Sequence, residues 1–230
     1  MTYRSVMVLG TVLRTLLEGK KEITIDELAE RCRVAIPIVQ NVLLRLSNLS
    51  LVTFDNCGKV IFRIDNVTQF LLSIVEHGLC RDLELLAEFV DWRIFEDLVC
   101  EILRRLGYFS IRRLRIPVSG RREEIDVVGI KEGLVLFIEV KHYRRSRLKL
   151  EEAVRRHLEK VKSCVSNRDE LLKRIPVKCF YTCYCIPTVV TLRDYGVRLL
   201  EGVPIVPIYL LKNFLENLPF ELDNVAHFIL

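Results

Sequence analysis

Five consecutive apolar residues, Leu134-Val135-Leu136-Phe137-Ile138, run directly into Glu139-Val140-Lys141. A run of this length, rich in branched side chains, reads as a strand buried in a sheet. It acquires charge abruptly at its end. Side chains two apart on a strand point to the same face, so Glu139 and Lys141 share one. Glu124-Ile125-Asp126-Val127-Val128-Gly129-Ile130 alternates into a second strand, and Gly133 marks the turn between them. That hairpin places Asp126, 13 residues before Glu139, on the neighbouring strand. Two carboxylates and an amine at the end of an apolar sheet are costly to desolvate unless something compensates them. A divalent cation does so, and hard oxygen ligands favour magnesium or manganese over zinc. Such an ion polarises a phosphoryl oxygen and acidifies a bound water, and Lys141 would orient that water or stabilise the developing charge. A lone E-x-K on a strand usually marks a solvated edge, but the five apolar residues before this one argue against full exposure.

The segment before the hairpin adds a third acid. Phe95, Leu98, Val99, Ile102, Leu103 and Leu106 form an apolar stripe over residues 92–106, with Glu96 beside it, able to reach a sheet packed beneath. Gly107 closes this helix, and Tyr108 to Pro117 is then extended and basic. Charge is unevenly shared along the chain. Residues 1–90 hold ten Lys/Arg against eleven Asp/Glu, whereas residues 91–230 hold 25 against 19. Arg104 to Arg122 contains seven Arg and no acid, and Arg144, Arg145, Arg147 and Lys149 follow Lys141. Two basic clusters flanking one acidic motif suit a polyanion such as DNA. Arg121, Arg122, Arg144, Arg145 and Arg147 are the candidate phosphate contacts.

The N-terminal third has another periodicity. Val6, Leu9, Leu13, Leu16 and Leu17 recur at helical spacing, and Gly19 ends that helix. Thr24-Ile25-Asp26-Glu27 has the capping-box pattern and opens a short helix to Cys32. Pro37 sits in the first turn of a third helix that runs to about Leu49, with Val39, Val42, Leu43 and Leu46 inward. Leu51 to Phe54 and Val60 to Ile64 read as strands around the turn Asn56-Cys57-Gly58-Lys59. This succession resembles the winged helix-turn-helix family, which commonly binds DNA. The resemblance implies that Gln40, Asn41 and Arg45 face a major groove, with Lys59 in the wing. The module carries little positive charge, so contact with protein is the competing reading. Residues 66–91 read as a helical connector, with one stripe at Phe70, Leu71, Ile74 and Val75 and a second at Leu83, Leu86, Phe89 and Val90.

Asp126, Glu139-x-Lys141 and Glu96, on a helix reading Phe95-Glu96-Asp97-Leu98-Val99 and ending Leu106-Gly107-Tyr108, together resemble the PD-(D/E)xK nuclease superfamily. Within it the chain is most similar to Mrr-type endonucleases and archaeal Holliday junction resolvases. The resemblance covers residues 92–202 and implies an α/β (α+β) fold, a restriction endonuclease-like mixed sheet of four or five strands flanked by helices. It makes Asp126, Glu139 and the carbonyl of Val140 metal ligands for Mg2+ or Mn2+. Lys141 orients the water, and Glu96 holds a water or a second metal. It places a basic helix at Leu150 to Val161, a strand at Val177 to Cys183, and a short strand ending in Gly202. Ile125 stands where the superfamily often has Pro, and Glu151, Glu152 and Arg155 stand on the helix where many members carry Gln. The domains expected are therefore a winged helix at 1–65, a connector at 66–91, a nuclease-like domain at 92–202 and a helical extension at 203–230, with a helix at Tyr209 to Leu218.

The expected function is a metal-dependent DNA endonuclease. A homodimer is expected, because cutting two strands needs two sites. The alternatives are a nuclease fold retained only for DNA binding and a winged-helix transcriptional regulator. No apolar stretch approaches the roughly 20 residues that a membrane span needs, and the interrupted N-terminal apolar segment is not followed by a cleavage pattern, so a cytoplasmic protein is expected. The eight cysteines include no C-x-x-C pair. Cys179, Cys183 and Cys185 lie two or four apart and read as packing on one strand face, and the scattered His77, His157 and His227 form no zinc pattern.

Overall fold

The computed structural model describes residues 2–64, 66–118, 120–141, 147–176 and 182–230. The chain divides into two compact units, Met1–Ile94 and Phe95–Leu230. In the first, α1 (Tyr3–Leu17), α2 (Ile25–Cys32) and α3 (Ile36–Asn48) pack on one another beside a sheet of β1 (Glu22–Thr24), β2 (Val52–Phe54) and β3 (Lys59–Phe62), in the order β1-β3-β2. The Thr24 hydroxyl accepts the N–H of Glu27 at 3.1 Å and so starts α2, while Arg33, in the left-handed region at φ 52°, ends it. Val39, Val42, Leu43 and Leu46 are the buried positions of α3, and Gln40, Asn41, Leu44 and Arg45 are exposed. Strand β1 has no counterpart in the sequence reading; three residues are too few to show a period. The connector holds α4 (Val67–Glu76), started by the Asn66 side chain. Its second apolar stripe forms only a 3-10 turn at Leu83–Leu85, a correction to the expected second helical stripe.

The second unit is a mixed sheet flanked by helices, the α+β architecture that the resemblance implied. Helix α5 (Arg93–Arg105) precedes an antiparallel run of β4 (Phe109–Val118), β5 (Arg121–Lys131) and β6 (Leu134–Lys141). The β5–β6 turn is two residues long, with Glu132 at φ 48° and Gly133 at φ 81°, the pair of positive values that a type I′ hairpin needs. Helix α6 (Arg147–Ser166) and the short α7 (Arg168–Leu172) lead to β7 (Tyr184–Thr191), which pairs parallel to β6. Strands β8 (Leu199–Leu200) and β9 (Val203–Pro207) extend the sheet, helix α8 (Leu211–Asn217) follows, and β10 (Phe228–Ile229) returns to pair with β7. The sheet has seven strands rather than four or five. Its core holds Ile116, Ile125, Val128, Val135, Phe137 and Cys185 against Val161 and Cys164 of α6.

The strand expected at Val177 to Cys183 is corrected. Residues 177–181 lie outside the described residues, Thr182 and Cys183 are in no strand, and the strand begins at Tyr184. The β-branched run Ile186, Thr188, Val189, Val190, Thr191 carries it, and Pro187 disguises it. Proline is tolerated there because β10 pairs with β7 at Tyr184 and Cys185 whereas β9 pairs with it from Val189 onward. Pro187 thus falls in the gap between the two partners, where its missing N–H breaks no ladder.

Candidate active site

The β5–β6 ladder ends at Val127↔Ile138, so the next pair outward is Asp126 opposite Glu139. Directly opposed residues present their side chains on one face, which juxtaposes the two carboxylates. Asp126 Oδ2 accepts the Val140 N–H at 2.8 Å. The carbonyl of a strand residue lies on the same edge as its N–H, so the Val140 carbonyl faces this side too. On the other flank, the β4–β5 ladder pairs Arg112↔Val127 and Leu114↔Ile125 but skips Arg113, whose φ of 53° is a left-handed value rare for a bulky residue within a strand. Asp126 therefore sits where both neighbouring ladders are interrupted.

Burial raises the Asp126 carboxyl above the ordinary aspartate range, and the Glu139 carboxylate raises it further; the Val140 N–H, Lys141 and Lys160 oppose the shift. Glu139 goes the other way. Its burial alone would raise it, but His157, Lys160 and Lys141 outweigh that and hold it well below the usual carboxylate range. Lys141 Nζ lies 2.5 Å from Oε1, and Lys160 Nζ lies 2.8 Å from Oε2. His157 is buried, its Nε2–H donating to the Phe137 carbonyl at 2.8 Å while Nδ1 lies 3.5 Å from Glu139 Oε2. At that distance the second contact is electrostatic rather than a hydrogen bond. Lys160 also donates to the Glu124 carbonyl at 3.0 Å.

Glu96 is fully buried, and its Oε2 accepts from Arg113 Nε at 3.0 Å. Burial and the nearby Asp126 charge raise its carboxyl, against the pull of Arg113. Its Oε1 is buried without a hydrogen-bond partner among the described residues, a place that a water or a cation would satisfy. No group of three His, Cys, Asp or Glu side chains able to hold a metal ion is found among the described residues, so Glu96 does not join Asp126 and Glu139 in one cluster. Two carboxylates with backbone carbonyls still fit magnesium, which keeps several waters and is held by one or two protein carboxylates.

A cleft of about 340 Å³ opens on Glu139 and Lys141, walled by Lys149, Glu152, Arg156, His157 and Lys160 of α6. The sequence reading missed His157, Arg156 and Lys160 as site residues. Their signal was the spacing 149, 153, 156, 160, which sets three cations on one helical face.

The proposed phosphate contacts scatter. Arg121 and Arg122 are exposed at the start of β5, roughly 17 and 14 Å along the strand from Asp126 at about 3.4 Å per residue, so the fold does not bring them to the cleft. Arg147 pairs with Glu151 at 3.2 Å. Arg144 and Arg145, with His142 and Tyr143, lie outside the described residues. Within the Arg104–Arg122 run, Arg104 and Arg105 pair with Glu101, Arg112 with Asp97, Arg113 with Glu96 and Arg115 with Glu124, so five of the seven Arg of a cluster read as a polyanion surface already face an acid. Gln40, Asn41 and Arg45 are exposed on α3, and Lys59 pairs with Glu22 at 2.7 Å. Cys183 and Cys185 are buried, as packing requires, and Cys179 lies outside the described residues.

Residues 91–190, which hold the whole of this site, match the nuclease-related domain (NERD). The chain belongs to the same family as an uncharacterised protein of Archaeoglobus fulgidus, with 34% identity over 131 residues, 57% of this chain and 94% of that protein. Solved structures with similarity include a Vibrio cholerae protein (12% identity, TM-score 0.43, 96% of this chain and 52% of that one). Can2 from Sulfobacillus thermosulfidooxidans in complex with cyclic tetra-adenylate is another (13%, TM-score 0.36, 94% and 51%), as is the restriction endonuclease FokI (14%, TM-score 0.33, 83% and 38%). The chain spans about half the length of these solved proteins or less. No helix among the described residues is long and apolar enough to cross a membrane.

Proposed function

We propose that this chain is a metal-dependent DNA endonuclease of the PD-(D/E)xK type, hydrolysing phosphodiester bonds with Mg2+ or Mn2+. The observation that carries the reading is the apposition of Asp126 and Glu139 at the end of a buried hairpin, with Lys141 against Glu139 and a cationic cleft beyond. The nuclease-related domain match over the same residues supports it. Asp126 and Glu139, with the Val140 carbonyl, would hold the ion; when bound it supplies a polarised phosphoryl oxygen and a water acidified for attack. Lys141 keeps the Glu139 carboxylate ionised and offers an ammonium to the charge that grows on phosphorus. Lys149 and Arg156 line the wall along which a phosphate backbone would run. Glu96, held by Arg113, would offer its Oε1, unpartnered among the described residues, to a water or a second ion.

The three helices and the β1-β3-β2 sheet of the first unit support a winged helix-turn-helix whose α3 presents Gln40, Asn41 and Arg45 to DNA. A second reading of that unit has an observation in its favour: Ile36 and Leu44 are exposed on the same helix, at 42% and 57%, which suits contact with protein. A homodimer would supply the two sites that double-strand cleavage needs.

The test is incubation of the full chain with duplex, modified, branched and flap DNA, with and without Mg2+. Cleavage of at least one substrate only with the metal, lost in Asp126→Asn while DNA binding persists, is the expected result. Cutting by Asp126→Asn at the parent rate would overturn the assignment. Loss of DNA affinity on removing residues 1–65 would support DNA contact by the first unit, and unchanged affinity would favour the protein-contact reading.

A further inference from the structure

Two ammonium groups hold one buried carboxylate, and they are not equivalent. Lys141 lies two residues from Glu139 on the same strand and moves with it. Lys160 reaches in from α6, 21 residues away. Besides Glu139 Oε2, its ammonium bonds the Glu124 carbonyl, and its charge acts on Asp126. The group thus sits among a carboxylate oxygen, a backbone carbonyl and the field of a second carboxylate. Hard oxygens of this kind are what a divalent cation collects.

We propose that Lys160 is the resident counter-ion of the site: it holds the cation position between Glu139 and Asp126, and it is displaced toward the Lys149–Arg156 wall when a divalent cation binds. The proposal rests on the metal-nuclease reading above. Each oxygen of Glu139 already carries an ammonium, so a divalent cation at Glu139 meets like-charge repulsion that the departure of one ammonium relieves, and Lys160 is the one not tied to the same strand. The side chains alone set two carboxylates, Asp126 and Glu139, against two ammonium groups, Lys141 and Lys160. A divalent ion added to this set leaves an excess of two positive charges, which a substrate phosphate on the α6 wall relieves. Metal and DNA binding are then coupled, each strengthening the other, and the displaced Lys160 ammonium becomes a phosphate contact.

The experiment is Mn2+ binding to the full chain without DNA, read by electron paramagnetic resonance of the free ion. Lys160→Met is expected to bind Mn2+ about ten-fold more tightly than the parent, the order expected when one charge-assisted hydrogen bond no longer has to be broken. Lys160→Arg, which keeps the charge, gains no such affinity. Equal or weaker binding by Lys160→Met overturns the proposal. A second measurement uses the unaltered protein: acylation of Lys160 by an amine-reactive ester, quantified by peptide mass spectrometry, should rise several-fold on adding Mn2+. Unchanged or reduced labelling overturns the proposal even if the variant fails to fold. Failure of the parent to bind Mn2+ overturns the metal-nuclease reading as well, whereas Mn2+ binding that ignores Lys160 overturns this inference alone.

Discussion

Asp126 and Glu139 are the same functional group a strand apart, yet their surroundings drive them in opposite directions. Asp126 is raised by burial and by its neighbour, so its ionisation is penalised in the folded protein. That penalty is absent below the ordinary Asp value of about 3.9 and complete once pH passes the raised one. Asp126→Asn removes the charge and keeps an oxygen for the Val140 N–H. It should raise the melting temperature near neutral pH by roughly 2–4 °C, the effect of about 1 kcal/mol in a domain of this size, and the gain should vanish in acid. Glu139 is depressed, so its stabilisation is fully present above the ordinary Glu value of about 4.3 and is lost as pH falls through it toward the depressed value. Glu139→Gln leaves Lys141 and Lys160 partly buried without their counter-charge, and should cost about 2 kcal/mol at neutral pH, less than a fully buried pair because both ammonium groups keep some water. Scanning calorimetry of both variants from about pH 3 to 8 checks the two signs. Shifts in the same direction at neutral pH would contradict the opposed titration.

Among the elements, the β5–β6 hairpin was the most legible in the sequence. An apolar run, a glycine turn and a two-residue spacing sufficed to pair Asp126 with Glu139, because a hairpin is local and its register follows from the turn. What remained hidden depends on distant parts of the chain. The spacing of Lys149, Arg156 and Lys160 sets three cations on one helical face, but nothing local announces that α6 will lay Lys160 and His157 on Glu139, and nothing near Arg113 shows that it leaves the strand pattern to hold Glu96. Strand β7 was placed too early, at Val177 to Cys183, and Pro187 within its true span is harmless only through the placement of β9 and β10. The seat of α5 depends on an equally non-local fit. A side chain added at Gly129 would meet Leu103 Cδ2 at 2.9 Å, and Leu103 is fully buried. Gly129→Val should therefore push α5 from β5 and destabilise the unit by about 2 kcal/mol, within the usual range for overpacking a core. Urea unfolding measures this, and a change below about 0.5 kcal/mol would show that Leu103 has room to move.

Across the whole molecule, positive charge is concentrated after residue 90, but the folded chain decides which of it remains to meet a polyanion. Arg112, Arg113 and Arg115 are matched by acids on neighbouring elements; Arg156 and Lys160 are matched too, by Glu152 and Glu139, but with Lys149 they line the cleft. Each phosphate contact contributes about 0.9 to the slope of log affinity against log salt, whatever the base sequence. Arg156→Ala and Lys149→Ala should therefore each weaken binding to unrelated duplexes equally and flatten the salt slope by about one. Arg112→Ala should leave the slope unchanged, since Arg112 lies on β4 and is not among the residues that line the cleft. Gln40→Ala or Asn41→Ala, on the exposed face of α3, should alter affinity for particular sequences without touching the slope. Anisotropy titrations of the full chain over about 50–200 mM salt, with Ca2+ present, separate these outcomes. A slope change for Arg112→Ala as large as that for Arg156→Ala would mean that the internal ion pairs open on binding, and that β4 rather than α6 carries the backbone.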